Sequence, residues 1–90
     1  MKASKQVIIK TPLGLHARPA MEVVQILQKS SSRAKITHEE RTIDAHSIIS
    51  LLSLAAPCGA VITITIEGAD AKATLKKLIA ALSKDALAND

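Results

Sequence analysis

Val61-Ile62-Thr63-Ile64-Thr65-Ile66 places isoleucine on one side of an extended chain and threonine on the other, because successive side chains of a strand point to opposite faces. One apolar and one polar face describe a sheet that packs on one side and meets water on the other, as antiparallel sheets do. Beyond this strand, Gly68-Ala69-Asp70 offers a turn and an N-cap for a helix whose Leu75, Leu78, Ile79 and Leu82 recur at i, i+3, i+4 and i+7. Before it, Ile48 to Ala56 is apolar almost throughout and is halted by Pro57 and Gly59, which reads as a short helix capped by Ser47 or a neighbour. Arg33 to His38 and Arg41 to Asp44 alternate apolar with polar around Glu39-Glu40 and form a predicted hairpin with a solvated tip. Ala17 to Lys29 carries Ala20, Val23, Val24 and Leu27 on one stripe, a helix that faces the core. Gln6 to Lys10 is a β-branched run ended by Thr11-Pro12, hence a strand. The order β-α-β-β-α-β-α gives the expected fold class: α+β, a two-layer open-faced β-sandwich with a four-stranded, mostly antiparallel sheet and three helices on one face.

Ninety residues correspond to one domain with one core. Hydrophobic residues make up 48% and charged residues 22%, which excludes wholesale disorder. With no Phe, Trp or Tyr the core must be aliphatic, and the stacking platforms of single-stranded nucleic-acid binders are missing. Twelve Lys and Arg against eight Asp and Glu give +4, but the basic residues are spread from Lys2 to Lys84, so the charge is weak evidence for nucleic acid and about as compatible with an acidic protein partner. The single cysteine, Cys58, has no internal disulfide partner; no signal peptide and no apolar run of about 20 residues is present. The expectation is a monomeric cytoplasmic protein with no membrane insertion.

Chemistry concentrates in Thr11-Pro12-Leu13-Gly14-Leu15-His16-Ala17-Arg18-Pro19-Ala20, a strand-to-helix connection with an imidazole at the helix start. Pro19 is tolerated in a first turn, where early amides lack intrahelical partners. The amides of that turn, around Ala17 and Arg18, and the positive end of the helix dipole favour an anion. A neutral imidazole nitrogen of His16 is a nucleophile, and the planar donors of Arg18 suit phosphate oxygens. Together they describe a phosphoryl-accepting site. The same residues would also serve as an inert helix cap and a solvated charge.

In the second helix, Leu51, Leu54 and Ala55 form one inward stripe and leave Ile48, Ile49 and Leu52 for an exposed patch. Ringed by basic residues, that patch suits an acidic partner with an apolar centre. His38, His46 and Cys58 lack metal-ligand spacing, and no metal or cofactor is expected. Asp44 is a candidate acceptor near the start of this helix.

The run Gly14-Leu15-His16-Ala17-Arg18-Pro19-Ala20-Met21 resembles the active-site signature of HPr, the histidine-containing phosphocarrier of the bacterial phosphoenolpyruvate-dependent sugar phosphotransferase system. The element order and the segment from Ser47 to Gly68 also match that family's layout. The resemblance implies a carrier rather than an enzyme. His16 would be phosphorylated on Nδ1 by enzyme I, would pass the group to an enzyme IIA, and would be assisted by Arg18. It further implies that Ile48, Ile49 and Leu52 dock these partners and that Ser47 is the target of an HPr kinase. A phosphate there would place about two negative charges inside the docking patch. The chain departs from the family's common pattern at His46, at Ser50 in place of a frequent glycine, and at Pro57-Cys58. Two other readings remain: a carrier of a regulatory, nitrogen-type branch, and a small α+β protein-binding module that is not phosphorylated.

Overall fold

The computed structural model describes residues 1–83. Seven elements follow one another: β1 (Lys2–Ile8), α1 (Ala17–Gln28), β2 (Ser32–His38), β3 (Arg41–Asp44), α2 (Ile48–Ser53), β4 (Val61–Gly68) and α3 (Ala71–Leu82). The four strands form one sheet in the order β1-β4-β2-β3, every neighbouring pair antiparallel.

Register follows from the alternation in β4. Ile62, Ile64 and Ile66 are all but fully buried, and opposite them stand Val7 of β1 and Ala34 and Ile36 of β2, also buried. The outward set is polar apart from the exposed Ile8–Val61 pair: Thr63 faces Gln6 and Thr37, Thr65 faces Ser4 and Lys35, and Thr37 is hydrogen-bonded to Thr42 at 2.8 Å between hydroxyls. Onto the inner face α1 brings Ala20, Val23, Val24 and Leu27, and α3 brings Leu75, Leu78 and Leu82. Each fully buried Leu, Ile or Val contributes about 1.5–3 kcal/mol of transfer free energy, and the side chains with no exposed surface include Ile9, Ile36, Leu51, Ile64 and Leu78. The core is aliphatic, and Ile79 is only partly covered beside it. No helix among the described residues is long and apolar enough to cross a membrane.

Three boundaries differ from the sequence reading. β1 begins at Lys2 instead of Gln6, because pairing with β4 holds exposed Lys2, Ser4 and Lys5 extended where no apolar pattern marks them. It ends at Ile8, after which Ile9 and Lys10 bond to Ala60 and Leu82 at 2.9 Å each. α2 stops at Ser53 and not at the proline, since Ala55 has φ +50. That left-handed residue turns its own side chain out and Ala56 in, so the inward set is Leu51, Leu54 and Ala56, with Ala55 exposed.

Asp70 occupies the N-cap position of α3, but its side chain does not cap the helix. Its carboxylate instead accepts from Ser31 N at 3.0 Å and from the Ser32 hydroxyl, tying the start of α3 to the start of β2. These bonds, the Ser32 hydroxyl foremost and then the Ser31 amide, hold the Asp70 carboxyl below the usual carboxylate range. A carboxyl depressed by folding stabilises the protein above its unfolded pKa, about 3.9, and this contribution fades as pH falls through the lower folded value. Asp70→Asn is therefore expected to melt below wild type at pH 7, with the two melting temperatures converging towards pH 2. Parallel curves from pH 7 to 2 in thermal circular-dichroism scans would contradict the assignment.

Candidate functional site

The connection from β1 to α1 is built as a wedge. Thr11 is buried and closes a turn with Gly14: the Gly14 amide donates to Thr11 O at 2.9 Å and the Thr11 hydroxyl donates to Gly14 O at 2.7 Å. Gly14 has φ +72, a conformation in which a side chain is strained. A Cβ on it would also collide with the Ala56 carbonyl and lie 2.8 Å from Pro57 Cα. Close approach lets the next amide, Leu15 N, donate to Ala56 O at 2.9 Å, while the Leu15 side chain is buried. The loop that presents His16 is thus fastened to the chain just after α2.

His16 is the N-cap of α1, extended at φ −100 and ψ −168, and its carbonyl accepts the first helical bond from Ala20 N at 3.1 Å. Its side chain makes no capping bond and has no hydrogen-bond partner among the described residues, and the residue is partly exposed. Ala17, Arg18 and Pro19 form the first turn. Pro19 has no amide hydrogen and packs inward, so the amides of Ala17 and Arg18 are the donors left at this end, with no acceptor among the described residues. The first turn of α1 contains no acidic residue. Arg18 is exposed, and no described residue pairs with its guanidinium. A ring with free nitrogens, two unfilled amides, a helix dipole and a cation can together accept and hold a doubly charged tetrahedral group.

α2 opens with Ser47, whose Oγ accepts from Ser50 N at 3.2 Å. Leu51 is its one buried residue; Ile48, Ile49 and Leu52 are 37%, 81% and 40% exposed. Two further apolar residues that the sequence reading passed over are exposed on either side of His16 in the chain, Leu13 at 77% and Met21 at 48%. The signal for Leu13 was its place inside a Pro-Leu-Gly turn; Met21 lies outside the Ala20-Val23-Val24-Leu27 stripe. Also missed were Thr11, Gly14 and Ala56, whose contribution is to hold the loop. Asp44 Oδ1 accepts from His46 N at 2.8 Å, and the His46 ring accepts from Ala34 N at 3.3 Å, so both residues brace the entry to α2. Among the described residues no His, Cys, Asp and Glu group could hold a metal ion, and Cys58 is exposed and free. A cleft of about 790 Å³ lined by Lys2, Arg33, Lys35, Asp44, His46 and Glu67 contains neither His16 nor Arg18.

Gly14→Ala tests the wedge. Strain and overlap are expected to lower the unfolding free energy by about 1–3 kcal/mol in urea titrations. A change below about 0.5 kcal/mol, the usual size for a neutral surface site, would mean that the loop is not held this way.

Residues 3–84 match the family model described as the PTS HPr component phosphorylation site. The chain is 38% identical to an HPr-like protein Crh of Halalkalibacterium halodurans over 81 residues, covering 90% of this chain and 96% of that one. It is 39% identical over 74 residues to a multiphosphoryl transfer protein of Xanthomonas campestris, where the match covers 82% of this chain but 9% of the larger protein. Among solved structures, the phosphocarrier protein HPr of Bacillus anthracis superposes with a TM-score of 0.85 at 37% identity, covering 90% of this chain and 96% of that one.

Proposed function

Because the chain belongs to the HPr family of the phosphotransferase system, whose members carry phosphate rather than catalyse reactions, we propose that His16 is its phosphoryl acceptor and donor. The observation that carries this reading is the partly exposed, unpartnered His16 ring at the open N-terminus of α1. In the proposed transfer the lone pair of His16 Nδ1 forms the bond to phosphorus while the bond from phosphorus to the enzyme I donor breaks, and the donor leaves with the electron pair of the broken bond. The amides of Ala17 and Arg18 and the Arg18 guanidinium stabilise the charge spread over the phosphoryl oxygens. The reverse geometry then serves delivery to a histidine or other acceptor on an enzyme IIA.

The exposed side chains of Ile48, Ile49 and Leu52 supply the apolar centre on which both partners would dock. Ser47 is the regulatory position: as N-cap its hydroxyl is already held at the end of α2, where a phosphate gains from the helix dipole yet sets negative charge against an acidic partner. Likeness at 30% identity to Crh, the Bacillus subtilis catabolite repression HPr, supports a second reading, a role in a regulatory branch.

Incubation with phosphoenolpyruvate and enzyme I is expected to give an acid-labile phosphorylated protein, and His16→Ala to remove the label completely; label retained in that variant would refute the acceptor. Ile49→Glu should leave stability within about 0.5 kcal/mol, since the residue is 81% exposed, while raising the KM of transfer at least tenfold. An unchanged KM would remove the residue from the docking surface. With an HPr kinase and ATP, incorporation into wild type but not into Ser47→Ala is the expected pattern; equal incorporation would dismiss Ser47.

A further inference from the structure

We propose that Arg41 is a positioning residue for phosphoryl transfer: it locks the C-terminal end of α2 and, through it, both the docking surface and the loop of His16. This inference rests on the carrier reading above and adds a residue to it. Arg41 is the first residue of β3, directly after the hairpin turn at Glu39-Glu40, where Glu39 has φ +58. From there its guanidinium reaches the last residue of α2. Nη1 donates to Ser53 O at 2.6 Å and Nη2 donates to Ser53 Oγ at 3.1 Å, and that hydroxyl in turn donates to Ser50 O at 2.6 Å.

The arrangement answers a specific weakness. A six-residue helix is too short to be stable by itself, and its last carbonyls have no helical donors. α2 has one buried side chain, Leu51, and a cap at its start, Ser47; at its far end Leu54 N and Ala55 N turn back to Leu51 O and Leu52 O at 3.2 and 3.1 Å, and among the described residues Arg41 is the side chain from another element that is hydrogen-bonded to its last residue. A cation at that end also meets the negative pole of the helix. The planar fork of arginine matters because it reaches backbone and side chain of one residue simultaneously, which a lysine ammonium on a flexible stem does not reproduce. Three residues further on, past left-handed Ala55, the Ala56 carbonyl receives Leu15 N. Displacement of Ser53 is thereby transmitted both to Ile48, Ile49 and Leu52 and to the residue before His16. Since its donors are spent inward on Ser53, Arg41 acts on a partner through α2 rather than as a loose surface charge.

Transfer kinetics with charged enzyme I, together with amide exchange followed by NMR, test this on wild type, Arg41→Met, Arg41→Lys, Ser53→Ala and the Arg41→Met/Ser53→Ala double variant. The expected result is a KM raised about three- to tenfold, the worth of one or two hydrogen bonds, with kcat within about twofold. Lys should fail to restore it, and the double variant should be no worse than Arg41→Met. Exchange at Leu54, Ala55 and Leu15 should quicken while Ile64 is unchanged. Rescue by Lys would make Arg41 a plain surface charge, additive effects would uncouple it from Ser53, and faster exchange at Ile64 as well would reduce its role to general stability; each overturns the proposal, as does unaltered exchange. Were wild type to take no label, the carrier reading would fall on its own, and exchange at Leu54, Ala55 and Leu15 would still decide whether Arg41 holds the helix.

Discussion

One backbone hydrogen bond, from Leu15 N to Ala56 O, joins the two parts of this molecule that matter chemically. On one side of it is the loop that ends in His16; on the other is the chain leaving α2. The bond is possible only because Gly14 lets the backbone come closer to Ala56 and Pro57 than any side chain would allow. Buried Thr11 folds the loop back to make that approach, and buried Leu15 anchors it in the core. The histidine is therefore positioned by its neighbours' backbones, and its ring has no hydrogen-bond partner among the described residues.

That division of labour suits a group carrier. Phosphoryl transfer asks chiefly for placement and for charges near the moving oxygens, and the start of α1 supplies a cation and amides with no acceptor among the described residues. The cleft on the far part of the sheet shares no residue with His16. The apolar side chains exposed on α2, together with Leu13 and Met21, are the surface on which the docking proposed above would rest.

Much of this was legible from residue pattern. The Ile-Thr alternation of β4, the stripes on α1 and α3 and the two-residue hairpin tip stand in the structure as the spacing predicts, because each rests on local periodicity. What the pattern could not disclose depends on partners distant in sequence. Polar Lys2 to Lys5 is a strand only because β4 lies beside it. The end of α2 is set by Ala55, a residue type that gives no sign of a left-handed backbone. Asp70 has the look of a helix cap and instead reaches across to Ser31 and Ser32, 39 and 38 positions away. Around the loop, the motif marks His16 and Arg18, whereas the contacts of Thr11 with Gly14, of Ala56 with Leu15 and of Arg41 with Ser53 are ones that no motif encodes.

Alanine, and not glycine, makes the reversal at position 55, and this narrows the torsional freedom of the joint between α2 and the following turn. A stiff joint leaves the exposed face of α2 little room to change shape. Under the proposed role, choosing between partners would fall to their surfaces rather than to any rearrangement of its own.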